Sequence, residues 1–272
     1  MTVAAEVPVI RPDWTAPARV HALCTTRAGG VSEAPYGTLN LGLHVGDEAS
    51  RVRENRRRLL EHLSLPSSPT WLTQVHGTRV VGIGVGGGAS AGAERGERAG
   101  TDDGGENGPI EADGAWTDRA AVVLGVLTAD CLPVVVTDAA GGRVAVAHAG
   151  WRGLAGGVLA SALMPFPRGL ELHAWLGPAI GPRAFEVGAE VREAFVRRDI
   201  AHEEAFSPSG AAGTFLADLY ALARGELRRD REDGAVRITG GQHCTVAEAA
   251  CFHSYRRDGQ RSGRMATVAW LE

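Results

Sequence analysis

Three residues far apart in the chain, His76, Cys131 and His148, stand where strand-like patterns stop, in QVHG (74–77), TADCLP (128–133) and AHAGWRG (147–153). Imidazole and thiolate are donors that zinc prefers, and three protein ligands leave a fourth position for water or substrate. The three lie 55 and 17 residues apart, so no local ligand motif joins them and only the fold can bring them together. Residue type alone also accommodates plainer roles, a buried small thiol and hydrogen-bonded structural imidazoles. Two details favour ligation. Cys131 lies in a turn between Asp130 and Pro133, and His148 opens a Gly-bracketed loop that carries Trp151 and Arg152. A Cys-His hydrolase is the other reading of these residues, with Cys131 as nucleophile and His148 or His76 as base. Removing metal separates the two, because it stops a metal enzyme and spares the hydrolase.

Arginines add a further ingredient. Arg27, Arg152, Arg256 and Arg257 lie in Gly-rich or polar turns. Surface salt bridging fits most arginines in so Arg-rich a chain, but Arg27 precedes Gly29-Gly30, where backbone amides can also approach an anion. A phosphate or a carboxylate-bearing substrate is the resulting expectation. Trp151, Tyr36 and Phe185 can stack on a flat ring or simply fill the core. Asp130, beside Cys131, has two readings of equal weight, a proton shuttle and a turn cap.

The elements that must position these groups are short. Residues 19–26 read as a strand, 31–47 as an ordered loop, and 48–63 as an amphipathic helix with Val52, Leu59, Leu60 and Leu63 inward. Residues 71–83 read as strand, turn, strand. The runs 121–127, 133–137 and 143–148 are buried adjacent strands, with a helix at 153–163 and a strand at 172–176. Helices are expected at 188–198 and 216–229, and closing strands at 234–239, 249–255 and 265–271. Residues 84–109 are low in complexity, dominated by Gly, Ala and charge, and read as a flexible surface insertion. Interleaved helices and strands without a repeat indicate one α/β (α+β) domain over 1–272, with the site on strand-end loops.

Composition narrows the function. The chain has 272 residues, 44% hydrophobic and 22% charged, with a net charge of −4, which offers no electrostatic case for nucleic acid or an anionic membrane. All 28 residues of the Lys-plus-Arg count are Arg, which removes Schiff-base and P-loop lysine chemistry. Four scattered cysteines without a CxxC pair read as reduced thiols, and neither a leader nor a membrane span is evident, so a cytoplasmic protein is expected.

The same residues carry a family match. TTRAGGVSEAPYGTLNLGLHVGD, QVHG, EADGAWTD, TADCLPVVVTD, AHAGWRGL, GPAIGPRAFEVGAEV and SYRRDGQRSGRMATVAWL, in that order, closely resemble the laccase-domain family. That family was once described as multicopper polyphenol oxidases and is now viewed as zinc-dependent purine nucleoside phosphorylases with adenosine deaminase activity. The resemblance runs from about residue 19 to the C-terminus. It implies an α/β sandwich, zinc held by His76, Cys131 and His148, and phosphorolysis of adenosine, inosine, guanosine and 5′-methylthioadenosine. It further implies hydrolysis of adenosine to inosine, and cytoplasmic, often monomeric members. A proposed role in editing peptidoglycan precursors also attaches to the family. With 9 His and one Cys/His cluster, a full multicopper set is hard to build, so copper is the less favoured metal. Arg27, Asn40, His44 and Arg152 are the candidates for substrate and phosphate binding. Departures from the family pattern are His253 in place of an aromatic, a longer turn at Gln260-Arg261-Ser262, and the 84–109 insertion.

Overall fold

The computed structural model describes residues 6–84, 110–231 and 235–272. Alternation of apolar side chains sets its layers. Leu132, Val134 and Val136 project from one face of the strand Leu132–Asp138 and Val135 from the other. In Val144–Ala149 the alanines 145, 147 and 149 share the first face, and Val144 and Val146 the second. Strands apolar on both sides need cover on both sides.

They receive it from two sheets and two helical layers. The larger, mixed sheet has the order Val236–Gly240, Leu172–Leu176, Leu132–Asp138, Val144–Ala149, Gly114–Thr117, Val80–Gly82. Its two outermost pairings are parallel and its inner ones antiparallel. One face packs on the helices Trp151–Gly156, Val158–Leu163, Ala189–Val196 and Leu219–Arg229 through Leu154, Val158, Phe195 and Leu222. The other meets a four-stranded antiparallel sheet, ordered Val9–Ile10, Val20–Thr25, Met265–Leu271, Leu124–Thr128. Val135, Val146 and Trp175 share one buried apolar cluster with Cys24, Val126 and Met265 in that inner layer. Leu59 of the helix Ala49–His62 covers the far side of the smaller sheet at Leu23, Leu127 and Val268. The architecture is the mixed α/β sandwich expected from the pattern.

The helix Ala49–His62 buries Val52, Asn55, Arg56 and Leu59, one stripe at helical spacing. Its two polar members order the loop before it. Asn55 donates to Ser32 Oγ and to the Asn40 carbonyl, and Arg56 donates through Nε and Nη2 to the Leu41 carbonyl.

Some expected elements differ. The helix expected at 153–163 begins at Trp151 and is divided at Gly157, whose φ of +101° stops the first segment. The helix expected from 216 starts at Leu219, because Asp218 accepts the Tyr220 and Ala221 amides as its cap. The expected strand at 249–255 is absent. That segment is turns leading into the short helix Tyr255–Asp258, and Phe252 is buried there without strand pairing. Beyond Gly84, the 84–109 insertion lies outside the described residues. Among the described residues, no helix is long and apolar enough to cross a membrane.

Candidate metal centre

Asp113, immediately before the strand Gly114–Thr117, organises the first candidate ligand, His76. Its carboxylate accepts three successive amides, Val75 at 3.2 Å, His76 at 2.9 Å and Gly77 at 2.6 Å. Consecutive N–H groups converging on one anion form a nest, and His76 takes the left-handed φ of +60° within it. The same carboxylate lies 2.8 Å from Nδ1 of His148, and the His148 amide donates to the Asp113 carbonyl at 2.7 Å. A carboxylate accepts only, so Nδ1 carries the proton and Nε2 is left as the donor atom for a metal.

His148 lies within the strand Val144–Ala149, one residue before its end, and is buried. The neighbouring strand Leu132–Asp138 is preceded by Cys131, in a turn where Asp130 has φ of +90°. Cys131 Sγ is 3.9 Å from Nε2 of His76, and the ligand atoms of His76, Cys131 and His148 all lie within 4.8 Å of one another. Among the described residues, no second group of three metal-ligating side chains converges in this way. His76 is exposed and Cys131 half-buried, so the centre opens to solvent on one side.

Gly150 forms its wall. A Cβ there would stand 2.9 Å from Cys131 Sγ and 3.1 Å from His76 Cδ2. Glycine is therefore what lets three ligand side chains and the backbone share this space. Gly150→Ala is expected to weaken metal binding by about tenfold or more while unfolding stays cooperative, since displaced ligands lose their geometry before the core is disturbed. Metal titration beside thermal unfolding checks this, and undiminished affinity would remove Gly150 from the account.

The charges suit a cation. Burial opposes ionisation of the Cys131 thiol, but His148 and His76 beside it prevail and lower its pKa to about 6. Burial likewise opposes protonation of His148, yet the Cys131 thiolate and Asp113 raise it to about 9. The metal-free centre thus holds a thiolate and an imidazolium between those values. Cys24, in the core, goes the other way, pushed by burial to about 12. Thiolate is the form that binds metal and attacks electrophiles.

The remaining sequence candidates are placed as follows. The Asp130 carboxylate accepts Thr245 Oγ1 at 2.5 Å, Ser254 Oγ at 3.0 Å and the Arg256 amide at 2.6 Å, while its carbonyl accepts the Ile180 amide. It ties the loop at Cys131 to three other segments, the work of a cap. Asn40 uses its whole amide on the backbone and Asp47. Its Oδ1 accepts the Gly42 and Arg264 amides, and its Nδ2 donates to the Gly42 carbonyl and Asp47 Oδ2. Arg27 donates through Nη1 to the Ala249 carbonyl. Exposed Arg152 stacks on Trp151, 4.3 Å from the ring centroid. His44, on the 3-10 turn Leu43–Val45, is exposed at one edge. Sequence reasoning passes over Asp113, Gly150 and Arg264. The acid in EADG, directly before an apolar strand, is the one signal available for Asp113.

Comparison with known proteins places this geometry among relatives. Residues 21–272 match the family described as multi-copper polyphenol oxidoreductase laccase. The chain is 48% identical over 265 residues to a Pseudomonas aeruginosa protein named purine nucleoside phosphorylase PA4543, covering 97% of this chain and 98% of that one. It is 46% identical to the Escherichia coli protein named purine nucleoside phosphorylase YfiH, covering 97% and 98%. The solved structure of Neisseria meningitidis protein NMB0706 shares 45% identity and a TM-score of 0.82, over 97% of this chain and 99% of that one.

Proposed function

This chain belongs to the multi-copper polyphenol oxidoreductase laccase family, and from that premise we propose that it is a zinc-dependent purine nucleoside phosphorylase that also deaminates adenosine. The observation that carries the reading is the convergence of one thiolate and two imidazoles, the one such group among the described residues. Three donors with an open side suit one zinc ion. Oxidation by several coppers needs further imidazole-rich sites, and four of the other seven histidines face partners elsewhere in the fold. His21 faces Glu272, His202 faces Glu226, His243 faces Glu248 and His253 faces the Leu39 carbonyl.

When bound, zinc supplies Lewis acidity to the substrate and to water in the open position. The chain supplies the rest. Asp113 fixes the His148 tautomer and the His76 turn, so the donor atoms are set before substrate arrives. Asp130 positions the Cys131 loop against the segments at Ile180, Thr245 and Ser254. The exposed His76 side is where a purine nucleoside enters, with phosphate as the second substrate. We take residues 1–272 as one cytoplasmic catalytic domain, acting as a monomer on adenosine, inosine, guanosine and 5′-methylthioadenosine.

Product analysis tests this. Purified protein with zinc, phosphate and each nucleoside is expected to release free base and the matching sugar 1-phosphate (ribose 1-phosphate, or its 5-methylthio form from 5′-methylthioadenosine), and to convert adenosine to inosine. A chelator should stop both reactions and added zinc restore them. Absence of base and of inosine with zinc bound would sink the reading, and phenol oxidation by a copper-loaded, zinc-free protein would replace it.

A further inference from the structure

Arg264 carries a charge that the fold does not neutralise. Its Nη1 donates to the carbonyls of Ser262 and Gly263, and among the described residues it has no carboxylate partner. Nε and Nη2 have no hydrogen-bond acceptor among those residues. The side chain is half-buried, where an unpaired cation is costly unless something completes it. The backbone holds it firmly, since the Arg264 amide donates to Asn40 Oδ1 at 2.9 Å.

Strand register sets its backbone beside the turn that carries Cys131. Met265 pairs with Thr128 across an antiparallel ladder, which sets Arg264 opposite the turn Ala129-Asp130-Cys131. The electrostatics agree with that placement. Burial lowers the Arg264 guanidinium, and Cys131, Asp130 and Tyr255 are the negative groups that act on it. His44 joins it over Gly42, where a Cβ would lie 2.8 Å from Arg264 Cγ and 3.4 Å from His44 Cε1. His44, exposed along one edge, is held below its usual range by its partial burial, then by Arg264 and Arg56.

We propose that Arg264, with His44 beside it, forms the oxyanion-binding corner of the centre and takes inorganic phosphate next to the His76–Cys131–His148 group. The proposal rests on the phosphorolysis reading and names which cation serves it. Guanidinium nitrogens offer phosphate a directed, charge-assisted pair of hydrogen bonds. It assigns the phosphate role to Arg264, in place of Arg27 and Arg152.

Titration of inorganic phosphate into the metal-loaded protein, followed by calorimetry, tests the corner directly. Arg264→Gln is expected to weaken phosphate binding by about tenfold or more and to raise KM for phosphate by a similar factor. KM for the nucleoside should change less than about twofold, and deamination, which consumes no phosphate, less than about threefold. Arg237→Gln, an exposed arginine paired with Glu171, serves as the control for lost positive charge. Arg264→Lys keeps the charge without the paired donors and should fall between the two. Phosphate binding at wild-type strength in folded Arg264→Gln overturns the proposal, as does a wild-type protein that binds no phosphate. Should Arg264→Gln fail to fold, wild-type binding by Arg264→Lys overturns it equally. Phosphate bound and lost with Arg264, but no nucleoside cleaved, would leave the anion corner standing and remove the phosphorylase reading.

Discussion

Cys131→Ala will strip the centre of its metal and stop base release and deamination together, each by a factor of about 10³ or more, because two imidazoles alone cannot hold a three-ligand site. Loss of one activity with retention of the other would mean two separate centres. The same thiol has a signature in metal-free protein. Its pKa is lowered to about 6, so its thiolate persists above that value and is lost as pH falls through it. Alkylation of Cys131 should therefore show a midpoint near pH 6, well below the roughly 8.5 of an ordinary thiol. Metal affinity should begin to fall below that midpoint, with release completed at lower pH still, because bound metal holds the thiolate against protons. Cys131→Ala separates the Cys131 component from any reaction at exposed Cys251 and half-buried Cys244. A midpoint near the ordinary value would show that His148 does not hold the thiolate.

Asp113→Asn will cost both stability and metal, although the change preserves shape. Oδ1 accepts from His76 N and His148 Nδ1, while Oδ2 accepts from Val75 N and Gly77 N. An asparagine must place its NH₂ at one of those positions, facing two donors. If it faces the amides of Val75 and Gly77, the turn that carries His76 opens. If it faces His148, the imidazole must move its proton to Nε2, and the donor atom is lost to the metal. Breaking a buried charged network of this kind costs about 3 kcal/mol, and loss of such an orienting carboxylate lowers metal affinity roughly 10- to 100-fold. Denaturant titration and chelator competition measure the two effects. Unchanged affinity would show that Asp113 supports the turn alone.

Periodicity made much of this fold legible. The helix at 48–63 is found as Ala49–His62, and the core runs at 133–137 and 143–148 are adjacent strands, whereas the run at 121–127 supplies Leu124–Thr128 to the other sheet. Those patterns are local, and burial of one stripe or two faces fully determines them. The segment 249–255 misled because apolar content reports burial, and Phe252 and His253 are buried in turns instead of a ladder. The convergence of His76, Cys131 and His148 was legible because the donors stand at strand ends and the ordered motifs around them resemble a family, although residue type alone also allowed plainer roles. Asp113 was not. Its role depends on amides 36 to 38 residues away, which leave no periodic mark. Arg264 was hidden for a related reason, since its neighbourhood follows from the pairing of Met265 with Thr128. Conversely, Asn40 and Arg27 stood out as polar groups in a Gly-rich loop, and the structure shows both engaged with backbone carbonyls.

The left-handed backbone of His76 bears on how such a centre decays over evolutionary time. A φ of +60° costs an L-residue roughly 1–2 kcal/mol, a penalty glycine escapes. If selection for a metal ligand is what retains histidine at that position, it does so against the preference of the chain. In a descendant released from that selection, glycine at 76 would be favoured early, since the change relaxes the turn. Asp113 would be kept, because three amides and the end of a core strand still depend on it. An inactive descendant of this architecture would therefore carry a recognisable scar: the acid preserved before its strand, and the histidine it once oriented replaced by glycine.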